Sequence, residues 1–181
     1  TFRFNDRSKS NVIATALFGD GAAAAVVNTE MKGPELSAWG EHTWPDTLEI
    51  MGWRIENDGF GVLFSRDIPN LVRSKMRAAA EEFLEGHDLA LKDIDEFICH
   101  PGGAKVLTAL EEVFDLQNGE LAHGRETLRQ YGNMSAATIM FVLKRALEHV
   151  GANSADTKSS RRMMSSLGPG FTAGFLVLED A

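Results

Sequence analysis

The 181-residue sequence is short of several things, and each shortage removes a class of protein. Its single cysteine, Cys99, cannot close an internal disulfide, so a stapled extracellular scaffold is excluded and a cytoplasmic setting is expected. No apolar run reaches spanning length, and no charged start leads into an apolar core and a small-residue cleavage site. Neither a membrane span nor a secretory leader is therefore expected. Basic residues are outnumbered: 18 Lys and Arg against 26 Asp and Glu give a formal net charge of −8. Such a chain lacks the basic face that nucleic acid or an anionic bilayer requires, although a local basic patch for an anionic ligand is compatible with it. No repeat, Pro-rich linker or charge block interrupts the sequence, so residues 1–181 read as one domain.

What is present is the material of an ordinary core, 44% hydrophobic and 24% charged. The chain opens at Thr1 on a polar stretch, Asn5 to Asn11, which reads as a surface segment. It fits a boundary inside a longer protein as well as a trimmed terminus. Val12 to Phe18 is a short apolar segment that stops at the turn signal Gly19-Asp20-Gly21. Ala22 to Asn28, small residues followed by β-branched ones, predicts a buried strand crowded against a neighbour. Leu36–Trp44, Thr47–Glu56 and Phe60–Ser65 predict three more strands, separated by turns at Pro45-Asp46 and Asn57-Asp58-Gly59.

The period then lengthens. From Asp67, Val72, Met76, Ala79, Ala80, Phe83 and Leu84 recur on one helical face, and Gly86 ends the segment. Ile94–His100 reads as a short buried strand, and Val106, Leu107, Leu110, Val113 and Phe114 mark a second helix. A third helix runs from about Ser135 to Val150, with Gly151 as its stop. Arg161–Leu167 and Phe171–Glu179 finish as strands around Gly168-Pro169-Gly170. Strands alternating with helices predict a layered α/β sandwich. The paired acidic residues Glu81-Glu82 and Glu111-Glu112 read as solvated faces.

Four segments carry chemistry at predicted junctions: Leu17-Phe18-Gly19-Asp20-Gly21-Ala22-Ala23-Ala24, His100-Pro101-Gly102-Gly103, Tyr131-Gly132-Asn133-Met134-Ser135 and Leu167-Gly168-Pro169-Gly170-Phe171-Thr172. His100 stands at a strand's carboxyl end, where open α/β sheets bind ligands. Gly102 and Gly103 permit close approach of a substrate and open a helix N-terminus. Asn133 immediately precedes a helix, a place where asparagine is a preferred cap and where its amide can also donate into a site. Cys99 directly precedes His100, and neighbours in a strand point to opposite faces, so it reads as a small buried apolar residue.

In this order the four segments resemble the C-terminal half of type III polyketide synthases, the chalcone/stilbene synthase family, over nearly the whole chain. The resemblance implies an α/β half of the thiolase-like fold, a mixed sheet in α/β/α layers. It makes His100 and Asn133 catalytic, gripping the thioester oxygen of malonyl-CoA through decarboxylation and condensation onto an acyl-CoA starter, before cyclisation. It implies a transferase that uses CoA thioesters directly, with no metal and no other cofactor, and that works as a homodimer. The cysteine nucleophile of the family belongs to an N-terminal half absent from this sequence, so this chain alone is expected to be inactive.

Further roles follow from the same resemblance. Phe18 matches an aromatic between the CoA tunnel and the initiation cavity, its plainer reading being a core aromatic at a helix end. A second gate aromatic is expected near Gly61 to Phe64, where Val62 stands and Phe60 or Phe64 would fit only in a shifted register; its loss would widen the cavity toward fatty starters. Ser135 matches a residue near the catalytic centre, or is a helix cap. Gly168 and Pro169 match a loop that shapes the cyclisation pocket, with Ser166-Leu167 replacing the family's commoner Gly-Phe. Lys105 is within reach of a CoA phosphate, or is simply solvated. Two alternatives stay open: a third-type ketoacyl-ACP synthase, which usually has His-Gln-Ala-Asn at this point, and a non-catalytic binding or assembly domain. The remaining histidines, His42, His87, His123 and His149, show no metal-ligand spacing.

Overall fold

A computed structural model describes residues 3, 5–29, 33–117, 119–152 and 160–180. Thr1 and the side chains of His149 and Val150 lie outside the described residues.

The order is α1 (Lys9–Leu17), β1 (Glu35–Thr43), β2 (Met51–Glu56), β3 (Gly59–Phe64), α2 (Ile68–Leu71), α3 (Arg77–Glu85), β4 (Glu96–Cys99), α4 (Ala104–Val113), α5 (Ala122–Tyr131), α6 (Ala136–Ala152), β5 (Arg161–Gly168) and β6 (Thr172–Glu179). The main sheet has the order β1-β6-β5-β4, and β2 pairs with β3 as a separate hairpin. β6 lies antiparallel to both β1 and β5, whereas β4 runs parallel to β5. The sheet is therefore mixed, as the sequence predicts.

Strand alternation sorts side chains to two faces. Met163, Phe175 and Val177 join α3 and α4 in the larger core, through Ala80, Leu84, Leu107 and Leu110. Met164 and Leu178 face the other way, with Ile98, onto Val142 and Ala146 of α6. Helices cover both faces, which gives the α/β/α layering. Each fully buried side chain of this size contributes about 1.5–3 kcal/mol. Arg162 of β5 is 0% exposed and donates to Glu96 at 2.9 Å and to both oxygens of Asp180 at 2.6 and 2.9 Å. That fork ties β4, β5 and the end of β6 together.

Several expectations are corrected. Ala22 to Asn28 joins no ladder among the described residues, and Val26 and Val27 are 86% and 82% exposed. Its composition favours a pleated surface, yet no described strand offers its backbone a partner. The expected strand from Thr47 begins only at Met51, because Thr47 is a buried turn residue whose hydroxyl lies 2.6 Å from the Trp44 carbonyl and 2.7 Å from that of Gly170. The helix from Asp67 is interrupted: Val72–Met76 is wound as a π-helix between α2 and α3, with the predicted stripe buried throughout. Glu111 is not solvated but buried, and Arg125 neutralises it. Helix α5 has no apolar stripe, since its buried positions are Gly124 and Thr127.

Candidate active site

β4 delivers His100. The His100 N–H donates to the Ser165 carbonyl at 2.8 Å, which extends the β4–β5 pairing by one residue past Cys99. Alternation then divides the two neighbours. Cys99 enters the core, accepts a hydrogen bond from Ser165 Oγ at 3.3 Å, and has its thiol pushed up to about 12 by burial. His100 lines a cavity of about 300 Å³ instead. Burial pushes the imidazole down to about 4, so it is neutral at pH 7, and its ring nitrogens bond to no described residue. A neutral imidazole has one N–H to donate and one nitrogen to accept.

After His100 the chain turns sharply, the Gly102 N–H donating back to the His100 carbonyl at 2.9 Å. Gly103 then caps α4 through its carbonyl, which accepts from Val106 and Leu107. Its φ of 168° is extended backbone that any residue can adopt. A Cβ at Gly103 would meet nothing within 4 Å, so what glycine provides there is open space beside the helix start.

Gly19-Asp20-Gly21 is not the turn that its composition predicts. The segment forms no turn and crosses Tyr131–Met134, with Phe18 and Asn133 paired as an isolated parallel bridge. Asn133 N–H donates to the Leu17 carbonyl at 2.9 Å, and Gly19 N–H donates to the Asn133 carbonyl at 3.0 Å. A Cβ on Gly19 would lie 2.0 Å from the Tyr131 oxygen, and one on Gly21 would lie 2.3 Å from Met134 Sδ. Gly132 has φ +70°, and a Cβ there would lie 2.8 Å from the Leu17 oxygen. These glycines exist for contact, and the contact sets Phe18 beside Asn133.

The Asn133 side chain is buried, with both ends engaged. Its Oδ1 accepts from the Ser135 N–H at 2.8 Å, and its Nδ2 donates to the Gly102 carbonyl at 3.3 Å. This is an Asx turn ahead of α6 and not the helix cap that the sequence suggests, since α6 begins at Ala136 and the Asn133 oxygen takes the Ser135 N–H; it fixes the amide, so the oxygen end is taken and the donor end faces the histidine loop. One of the two Nδ2 hydrogens is left for a ligand.

His100, Asn133, Phe18, Gly102, Ser135, Gly168 and Pro169 all line this one cavity. Gly103 does not; it lines a second cavity of about 500 Å³. The two share Phe18, Val62, Phe64 and Gly102 as common walls. The first is otherwise mostly apolar, lined also by Met51, Trp53, Leu63 and Leu167, with Ser166 as a further polar group. The second is flanked by Lys9, Arg66 and Lys105, none of which forms an ion pair with a described residue. Sequence reading missed Trp53, Lys9 and Arg66, because the signal lies in three-dimensional proximity of elements far apart in the chain. Among the described residues, no group of His, Cys, Asp or Glu could hold a metal ion. No helix among them is long and apolar enough to cross a membrane.

Fold and site together define a class: a thiolase-like α/β/α domain whose histidine and asparagine open into a shared apolar chamber. The chain belongs to the chalcone and stilbene synthase family, residues 35–181 matching the model "Chalcone and stilbene synthases, C-terminal domain", and is thus a C-terminal domain of type III polyketide synthase kind. It is 37% identical to the 1,3,6,8-tetrahydroxynaphthalene synthase of Streptomyces peucetius subsp. caesius, over 96% of this chain and 46% of that protein. Type III polyketide synthase 10 of Oryza sativa subsp. japonica is 33% identical over 76% of this chain and 36% of its own length. The crystal structure of 1,3,6,8-tetrahydroxynaphthalene synthase from Streptomyces coelicolor A3(2), a bacterial type III polyketide synthase, superposes with TM-score 0.87 at 26% identity, covering 98% of this chain and 50% of that one. The chain spans about half the length of the curated relatives it matches.

Proposed function

We propose that this chain forms the oxygen-binding half of a polyketide synthase active site, with residues 1–181 as one C-terminal domain and the N-terminal half of the same enzyme carrying the cysteine nucleophile. The observation that supports it most is that His100 and Asn133 open into the same cavity, each with a donor uncommitted.

The chemistry follows from those donors. Malonyl-CoA loses CO2 when its carbon–carbon bond breaks, and the electron pair passes into the thioester as an enolate. The neutral His100 N–H and the free Asn133 Nδ2–H donate to that oxygen. The enolate carbon attacks the acyl group carried on the cysteine, the thiolate leaves, and the same donors hold the tetrahedral oxyanion between. Preorganised donors in a water-poor cavity act where charge develops, and losing one typically raises the barrier by roughly 3–4 kcal/mol.

The surroundings fit CoA thioesters. Lys9, Arg66 and Lys105 beside the second cavity suit phosphates, and Phe18 stands between that cavity and the reaction chamber. Val62 stands at the place of the second gate aromatic, and the apolar walls suit a long or fatty starter. Gly168 and Pro169 shape the wall against which the product cyclises. A cytoplasmic homodimer of two complete subunits completes the proposal.

A second reading, a non-catalytic binding or assembly domain, is favoured by one observation: the sole cysteine is buried with a thiol at about 12, so the chain alone offers no nucleophile. One experiment separates the two. The chain is co-expressed with a nucleophile-bearing half, and CO2 release from malonyl-CoA is measured. His100→Ala and Asn133→Ala should each reduce release about a hundredfold or more. Unchanged release in both variants rejects the enzymatic reading.

A further inference from the structure

We propose that Thr138 is a positioning residue that holds the Asn133 carboxamide in its donating orientation, a proposal that rests on the functional reading above. Asn133 is fixed through the Ser135 N–H, and Ser135 is itself in an unfavourable state: its φ is +55°, in the left-handed region that glycine prefers. Something must hold it there. The Thr138 hydroxyl accepts from the Met134 N–H at 2.8 Å and donates to the Ser135 carbonyl at 2.8 Å. The Thr138 N–H bonds to that same carbonyl at 3.1 Å.

One hydroxyl thus bridges the Asn133–Met134 and Ser135–Ala136 peptide groups, enclosing the Met134–Ser135 pair that holds the left-handed residue. Thr138 is 0% exposed, so no bulk water can replace its oxygen. It lines neither cavity and cannot touch a substrate there. The chain of contact runs from the Thr138 hydroxyl to the Met134–Ser135 backbone, then to Asn133 Oδ1, and so to the direction in which Nδ2 points. An ordinary helix start needs only one capping acceptor; here the buried hydroxyl serves as acceptor and donor at once, next to the residue whose amide must aim at an oxyanion.

The test uses the synthase assembled from this chain and its nucleophile-bearing half, with malonyl-CoA decarboxylation as readout. Thr138→Val keeps the shape and removes the hydroxyl; Thr138→Ser keeps the hydroxyl. The valine variant should lose about tenfold or more in kcat with KM nearly unchanged, and the serine variant should stay within about threefold of the parent. In an Asn133→Ala background, adding Thr138→Val should change the rate by less than about twofold, because residues acting as one unit are not additive. Full kcat in Thr138→Val, or a valine effect that multiplies with Asn133→Ala, overturns the proposal. Should the valine variant not fold, Thr138→Ala takes its place; failure of both to fold assigns Thr138 to the core alone and also overturns it. Wild-type rates in Asn133→Ala would instead sink the functional reading itself.

Discussion

The main sheet and the β2–β3 hairpin are built from similar residues and end in opposite states. β5 and β6 place Met163, Phe175 and Val177 under α3 and α4, and Met164 and Leu178 under α6, so both faces are covered. β2 and β3 contribute Met51 and Phe64 to the edge of the core, while Trp53 and Ile55, which alternation puts on the same face as Met51, lie beyond it: Trp53 lines the first cavity and Ile55 is 84% exposed. The difference teaches that apolar composition makes a strand but not its covering. Apolar surface on the hairpin, together with the bare Ala22 to Asn28 segment, is in keeping with contact to the proposed second half.

That contrast can be broken most severely at the sheet. Arg162→Ala leaves Glu96 and Asp180 without their shared cation and should cost about 3 kcal/mol, read as a lower urea midpoint by circular dichroism. Gly19→Ala drives a methyl into the Tyr131 carbonyl and should cost roughly 1–3 kcal/mol. In the proposed synthase assembled with its nucleophile-bearing half, the Gly19→Ala loss of malonyl-CoA decarboxylation should exceed that of Arg162→Ala, because the crossing it opens seats Phe18 and Asn133. A third effect is pH-dependent. The folded-state value for His100, about 4, lies below its ordinary 6.5, so between those values the unfolded chain binds the extra proton. Stability is whole above pH 6.5 and falls as pH drops toward 4, by about 2 kcal/mol between pH 7 and 5, and His100→Gln should remove that portion of the slope. The smallest change belongs to the hairpin: Ile55→Ser should shift the chain's stability by no more than about 0.5 kcal/mol. A larger loss there would show that the far end of the hairpin is covered within the chain after all.

Much of the fold was legible in the sequence because periodicity and burial agree. The stripe from Val72 to Leu84 is found buried, and the strands read at Arg161–Leu167 and Phe171–Glu179 form as β5 and β6. Helix α5 escaped because it packs through Gly124, where a Cβ would come within 3.4 Å of the Cys99 carbonyl, and through Thr127. Close backbone approach leaves no apolar stripe to read. Ala22 to Asn28 failed for the converse reason, since β-forming residues do not supply a partner edge. In the site, the motifs nominated the residues that line the chamber. They did not disclose that Gly19, Gly21 and Gly132 serve a crossing, because contact between distant segments leaves no local spacing. Likewise nothing in the letters around Asn133 announces that Thr138 reaches back to clamp Ser135.

The setting of Cys99 has a practical corollary for labelling. Thiol-directed reagents attack the thiolate, and a group at about 12 is ionised at pH 7 in only about one molecule in 100,000. Packed in the core as well, it should ignore a maleimide for as long as the domain stays folded. Any adduct formed under native conditions would then lie outside these 181 residues, which would contribute their single equivalent only after denaturant is added.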